Sequence, residues 1–281
     1  MKQEPTLIEL YRTVEETGDA SFRLKTTTPC QTDFAPLQST RSSFCEYKAH
    51  KMILALRAKT LFELVSEEMA PFEDEPKYSS GVVDLPGIDR DTFEAMLEHI
   101  YTIKQPSIKN EEEARKLIVA ADRFCLTDLK LYVESVLVDK FISPSTAASL
   151  LLFADSHSCA LLKEAAMDFY VSHQNFVTQT PCWYLVTESE AILSELSKYV
   201  HTGCRQNFHG CNGNDTHSHT TNGEETSKDG KSELYKSSDN LNSLDVFSIR
   251  EQLAEHCFNI DGSREVLLGR LRRFREEKKY D

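Results

Sequence analysis

Long apolar runs are missing from this 281-residue sequence. The longest, such as SLLLFA (149–154), are far too short to span a bilayer, and the first residues lack the apolar core of a secretory signal. Basic charge is also scarce, because 32 Lys and Arg stand against 45 Asp and Glu, which argues against nucleic-acid binding by the chain as a whole. We therefore expect a soluble intracellular protein, in the nucleus, the cytoplasm or both.

Signatures of catalysis and metal binding are absent too. The sequence has no Gly-rich phosphate loop, no GxSxG motif and no Cys/His pair with ordered supports, so we expect neither an enzyme nor a cofactor. One Gly- and Asn-rich stretch does mix cysteine and histidine, but not at the spacing of a closed zinc finger, and we expect no metal there. Its members are Cys204, His209, Cys211, His217 and His219. The eight cysteines are unevenly spaced, which indicates free thiols in a reducing compartment rather than a disulfide framework.

Hydrophobic periodicity predicts an α+β fold. Residues 20–25 and 43–50 alternate as strands separated by a polar loop, 26–43, and a third short strand is predicted at 81–86. Phe93, Met96, Leu97 and Ile100 recur at helical spacing, and most of residues 111–199 is predicted to be helical. Residues 1–19 contain a short amphipathic stretch whose order the pattern leaves open.

An internal similarity lies within the helical part. The segments AADRFCLTDLK (120–130) and FADSHSCALLK (153–163) match at an offset of 33 residues. Each predicts a helix, a short turn and a second helix. Two copies are fewer than a free-standing solenoid needs, so we interpret them as stacked helical hairpins that complete a larger domain.

Residues 20–140 resemble the BTB (POZ) domain. The motifs that carry this resemblance occur in order along several elements. They are Ala49-His50-Lys51, Leu54, Arg57, Phe62, Asp84-Leu85, Phe93, Leu97, Ile100-Tyr101-Thr102, Leu117, Ala120-Ala121-Asp122 and Leu129-Lys130. In this pattern His50 opens a helix after a strand and packs structurally, and Arg57 is a fold residue near a helix end.

The resemblance implies an interaction module. BTB domains commonly form homodimers, and many recruit the cullin scaffold of an E3 ubiquitin ligase through a hydrophobic-x-Glu motif. Here Val65 and Glu67 are the candidate cullin-binding residues. The long loop at 26–43 departs from the usual tight hairpin, which leaves the geometry of a dimer open.

Three segments follow the BTB-like region. Residues 141–201 resemble the helical BACK extension of many BTB proteins. Residues 202–243 hold half of the ten glycines and little to bury, which predicts a flexible linker. Residues 244–281 are similar to the SAP motif, a two-helix module that binds DNA, through Leu244, Val246, Ile249-Arg250, Leu253, Gly262, Arg264, Leu267 and Arg270-Leu271.

The SAP resemblance implies phosphate contacts from five arginines, although this segment has equal numbers of acidic and basic residues. The candidate DNA-binding residues are Arg250, Arg264, Arg270, Arg272 and Arg273. Two hypotheses therefore stand side by side. One is an adaptor that presents an unknown protein substrate to a cullin ligase. The other is a dimeric chromatin-associated factor that uses the SAP-like segment to bind DNA.

Overall fold

The computed structural model describes residues 6–26, 43–68, 81–202 and 241–278. The chain is α+β and divides into two compact units, Met1–Ile142 and Ser143–Asp281. None of the helices in the described part of the chain is long and apolar enough to cross a membrane. Residues 27–42, which make up most of the predicted 26–43 loop, lie outside the described residues.

The first unit contains a three-stranded mixed sheet in the order β2-β1-β3. Strands β1 (Ala20–Thr26) and β2 (Ser43–Ala49) pair antiparallel along their full length, and β3 (Val82–Asp84) runs parallel to β1. Alternation along β1 buries Phe22 and Leu24 completely. Between them Arg23 points to the other face and forms an ion pair with Asp84 at 2.6 Å.

Seven helices of the described residues complete this unit. They are α1 (Leu7–Arg12), α2 (Val14–Thr17), α3 (Lys51–Arg57), α4 (Lys59–Glu68), α5 (Arg90–Thr102), α6 (Glu111–Arg123) and α7 (Thr127–Phe141). The predicted stripe of α5 is buried, and the Asp89 side chain caps this helix by accepting a hydrogen bond from the backbone N–H of Thr92. The N-terminal stretch that the sequence left open forms α1 and α2, and Thr6 and Glu9 close a capping box at the start of α1.

The second unit is helical in its described part. It contains α8 (Ala147–Ser156), α9 (Ala160–Val177), α10 (Trp183–Glu188), α11 (Glu190–Thr202), a 3-10 turn (Leu241–Ser243), α12 (Val246–Glu255) and α13 (Arg264–Glu277). The 3-10 turn corrects the end of the predicted 202–243 linker, because Leu241 packs on the core of the C-terminal helices and Asn242 accepts hydrogen bonds from their arginines. Residues 203–240, the rest of that prediction, lie outside the described residues.

The internal similarity corresponds to two hairpins with the same turn, α6–α7 and α8–α9. Cys125 and Ser158 adopt left-handed backbone angles, with φ of 55° and 54°. The backbone N–H of the next residue returns to the carbonyl five residues earlier, which is the Schellman ending of a helix. Each turn also carries an ion pair at 2.7 Å, Asp122 with Lys130 and Asp155 with Lys163. The predicted helix, turn and helix of each copy are thus confirmed. The expectation that the two hairpins complete one larger domain is wrong, because α6–α7 belongs to the first unit and α8–α9 to the second.

Candidate interaction surfaces

His50 links the junction of β2 and α3 to two other helices of the first unit, α5 and α2. It lies between β2 and α3, and its Nδ1 is 2.8 Å from the hydroxyl of Tyr101 while its Nε2 is 2.9 Å from the hydroxyl of Thr17. The backbone N–H of His50 donates to the same Tyr101 oxygen. Burial raises the pKa of Tyr101 to about 12. The predicted structural role of His50 is confirmed, because both ring nitrogens are engaged within the fold.

Arg57 has a structural role at the end of α5. Its guanidinium donates to the carbonyls of Ile100 and Tyr101, at 2.9 and 3.2 Å. These carbonyls belong to the last turn of α5, where the helix dipole favours a cation. Arg57 is therefore a fold residue near a helix end, as the sequence predicted.

A surface cavity of about 330 Å³ opens beside this arginine. Its wall includes Leu56 from α3, Ile103 after α5, and residues 125–129 from the turn between α6 and α7. Leu56 is 76% exposed and Ile103 is 63% exposed, so two large apolar side chains meet solvent at one opening. We call Leu56 and Ile103 the apolar rim. Apolar side chains that line a concavity are typical of a site where another protein binds.

The backbone at Ile103 is strained. Ile103 ends α5 in the left-handed conformation, with φ of 57°, and its N–H donates to the carbonyl of His99 at 2.8 Å. A β-branched residue rarely adopts this conformation, which costs about 1–2 kcal/mol. Glycine or asparagine would fit better. A strained, exposed isoleucine at a cavity is thus a candidate functional residue, and the sequence pattern gave no sign of it.

The two candidate cullin-binding residues lie in different environments. Val65 is 1% exposed and belongs to the core of the first unit, so its side chain is out of reach of a partner. Glu67, two residues later on α4, is exposed. The expectation that both residues form one surface contact is corrected, because α4 turns its apolar face, which also carries the fully buried Leu61, toward the core.

Four of the five candidate DNA-binding arginines are engaged in hydrogen bonds within the second unit. Arg250 donates to the carbonyl of Ile260, and Arg270 donates to the carbonyls of Asn259 and Asp261, so both hold the turn between α12 and α13. Arg272 donates to the Asn242 side chain at 2.7 Å. Arg264 donates to the carbonyl of Asn242 at 2.8 Å and to the carboxyl group of Glu164 at 3.0 Å. Arg273 is exposed on α13.

Glu164 is a buried polar residue that the sequence patterns did not predict. It lies on α9, is 3% exposed, and accepts hydrogen bonds from the backbone N–H of Val246 at 2.8 Å and from Arg264 at 3.0 Å. Burial raises its pKa to about 7, against the lowering effect of these two donors. A signal was available, because Glu164 continues the buried helical spacing of Ala160 and Met167.

Metal coordination has no support in residues 6–26, 43–68, 81–202 and 241–278, where no group of three or more His, Cys, Asp or Glu side chains could hold an ion. The cysteine and histidine mixture at 204–219 lies outside these ranges.

Comparison with known proteins bears on the first unit. Residues 44–141 match the family model described as the BTB/POZ domain. The chain is 37% identical over 139 residues to TD and POZ domain-containing protein 3 of Mus musculus. The aligned part covers 49% of this chain and 36% of that protein. It is 33% identical over 144 residues to TD and POZ domain-containing protein 4 of the same organism, with 51% and 37% covered. The chain thus spans less than half the length of these curated relatives.

Proposed function

Because residues 44–141 match the BTB/POZ family model, we propose that the chain is a protein-interaction adaptor that brings a target protein to the cullin scaffold of an E3 ubiquitin ligase. The observation that carries this proposal is the apolar rim, Leu56 and Ile103, at the mouth of a cavity within this domain. Large side chains exposed at a concave site gain most from burial against a partner, so the rim is the centre of the contact.

Glu67 is the second contact of this proposal. It is exposed at the end of α4, so its carboxylate is free to meet a donor on the scaffold. Val65 supports α4 from within the core and makes no contact of its own. Removing the Val65 side chain therefore lowers stability, whereas removing that of Glu67 lowers affinity alone.

Titration calorimetry with the purified cullin scaffold tests the adaptor function. Leu56→Asp places a charge at the centre of the contact and weakens binding at least about 10-fold, the effect of losing a central apolar anchor. Met52→Asp is the matched control, because Met52 is also exposed on α3 but does not line the cavity, and it leaves the affinity unchanged. If the unsubstituted protein does not bind the scaffold, the cullin proposal is wrong.

We also propose a homodimer, since BTB domains commonly associate in this way. Sedimentation velocity over a range of concentrations measures it directly. A chain that stays monomeric at the highest soluble concentration contradicts this part of the proposal.

DNA binding by the C-terminal helices is a second candidate function. The observation that favours it is the exposure of Arg272 and Arg273 on α13 and of Lys278 just after this helix. Phosphate contacts would make the affinity fall steeply with salt, and Arg273→Ala would weaken binding to every sequence alike. Fluorescence anisotropy of the full chain on a labelled duplex tests this, and an absence of binding at low salt removes the candidate.

A further inference from the structure

The two C-terminal helices pack on the BACK-like helix α9 and do not stand free. Helices α12 and α13 share a core with the start of α9, and Gly262 forms a backbone bridge to Cys159 just before α9. The fully or nearly buried members of that core are Ala160, Val246, Ile249, Leu253, Leu267, Leu268 and Leu271. Although the sequence predicted a separate module at 244–281, this packing makes the segment part of the second unit.

Glu164 lies where α9 meets the first residues of both C-terminal helices. One carboxylate oxygen accepts from the N–H of Val246, the first residue of α12, and the other accepts from the guanidinium of Arg264, the first residue of α13. A helix N-terminus beside a guanidinium is the arrangement that proteins use to bind phosphate and other anions. In this structure the buried carboxyl group of Glu164 occupies that position.

We propose that Glu164 occupies in cis the place of a DNA phosphate, so that docking of the C-terminal helices on α9 and duplex DNA binding through Arg264 exclude each other. This inference rests on the DNA-binding candidate function. The docked state is autoinhibited, because the Arg264 side chain is largely buried between Glu164 and the carbonyl of Asn242. Arg270 is unaffected by undocking, since its acceptors belong to the turn before α13.

Helices α12 and α13 have a shared core and a capping residue of their own, which keep the pair folded when it leaves α9. Val246, Ile249 and Leu253 of α12 face Leu267 and Leu271 of α13, and the pair has its own capping residue in Asp245, which accepts from the N–H of Ser248. Undocking therefore exposes Arg264 on an intact helix pair.

The decisive variant undocks the helices without adding positive charge. Ala160→Glu on α9 puts a charged side chain into the docked core, where Ala160 is 3% exposed. Asn175→Glu is the matched control, because it adds the same charge at an exposed position of α9. Glu164→Lys is a second way to undock, since it sets a cation against Arg264 and the N–H of Val246.

Two readouts on the 281-residue chain decide the proposal. Hydrogen exchange at the N–H of Val246 reports undocking, and fluorescence anisotropy on a labelled duplex of about 20 base pairs reports DNA affinity at low and moderate salt. We expect Ala160→Glu to speed the exchange and to tighten DNA binding about 10-fold, the value of one charge-assisted hydrogen bond. Adding Arg264→Ala to Ala160→Glu removes that gain, and Asn175→Glu behaves like the unsubstituted protein. Saturating DNA speeds Val246 exchange in the unsubstituted protein.

The other outcomes separate the two ideas. Fast exchange with unchanged DNA affinity overturns the autoinhibition and leaves the DNA-binding candidate in place. Slow exchange in both Ala160→Glu and Glu164→Lys overturns the docking role of α9. An absence of DNA binding by every variant at low salt removes the candidate function and the inference together.

Discussion

Glu164 makes the stability of the second unit depend on pH. Its carboxyl group faces one cation, Arg264 of α13, and two other carboxylates, Asp245 before α12 and Asp168 of α9 itself. Burial is the dominant influence, and it raises the pKa from 4.5 to about 7. The native protein therefore binds this proton more tightly than the unfolded chain does.

The difference in the pKa of Glu164 between the native and the unfolded state sets the direction and the size of the change in stability with pH. The stabilisation is complete below about pH 4.5 and is lost as the pH rises through about 7, since the unfolded state releases the proton first. Each pH unit is worth about 1.4 kcal/mol, so the interval between 4.5 and about 7 corresponds to about 3 kcal/mol. Glu164→Gln abolishes the titration and keeps an oxygen that accepts from the N–H of Val246.

Trp183 makes the measurement specific to this unit. It is the single tryptophan of the chain, and its ring stacks on Tyr170 at 4.8 Å between centroids, so its fluorescence reports unfolding of the helices around α9. We expect the free energy of unfolding of the unsubstituted protein, relative to Glu164→Gln, to fall by about 3 kcal/mol between about pH 4 and about pH 8 in urea titrations. Glu265→Gln, which makes the same change at an exposed glutamate of α13, is the matched control. A difference for Glu164→Gln that stays flat between these pH values would refute the reasoning.

Three further changes test the first unit. Leu97→Ala opens a cavity in the buried stripe of α5 and lowers the free energy of unfolding by roughly 2–5 kcal/mol in urea titrations; an unchanged value would mean that the stripe is not core. His50→Ala leaves the buried Tyr101 hydroxyl without its imidazole partner and costs about 1–3 kcal/mol by the same measurement, whereas a neutral effect contradicts the junction described above. Ile103→Gly relieves the left-handed strain and raises stability by about 0.5–1 kcal/mol in thermal melts, while the loss of the apolar rim weakens cullin binding in calorimetry. A destabilised Ile103→Gly protein would show that the side chain packs rather than strains.

The hydrophobic periodicity of the sequence was sufficient to predict the strands and helices of the fold. The alternation of Phe22 and Leu24 and the helical spacing of Phe93, Leu97 and Ile100 each mark one face for burial, and these faces are the ones that the structure buries. Periodicity succeeds here because it records how each element meets the core. The order of these elements along the chain is what carried the BTB resemblance, and local pattern alone does not say how they pack together.

The candidate sites were harder to predict because they depend on contacts far apart in sequence. Glu164 receives its hydrogen bonds from residues 82 and 100 positions away, and no local pattern connects them. Val65 is a different case, because its spacing from the buried Leu61 would have assigned it to the core face of α4. The motif resemblance outweighed that local signal. The conformation of Ile103 is set by how α5 ends, and isoleucine is among the residues least expected there.

The two hairpins differ at the position of Glu164. Both hairpins have the left-handed turn residue and the Asp–Lys pair, so the repeated part is the turn that ends one helix and begins the next. At the same offset of 33 residues, the position of Glu164 in α8–α9 is held by Leu131 in α6–α7. A buried carboxylate costs free energy that a leucine does not, and nothing in the shared turn requires it. The reason for Glu164 must then lie outside the hairpin, and the only groups with which it forms hydrogen bonds in the described part of the chain are the first residues of α12 and α13. Replacing Glu164 with leucine should therefore preserve the α8–α9 hairpin, as judged by hydrogen exchange at the N–H of His157, which donates to the carbonyl of Phe153, and should loosen α12. Equal protection of both segments in that variant would mean that apolar packing alone holds the C-terminal helices in place.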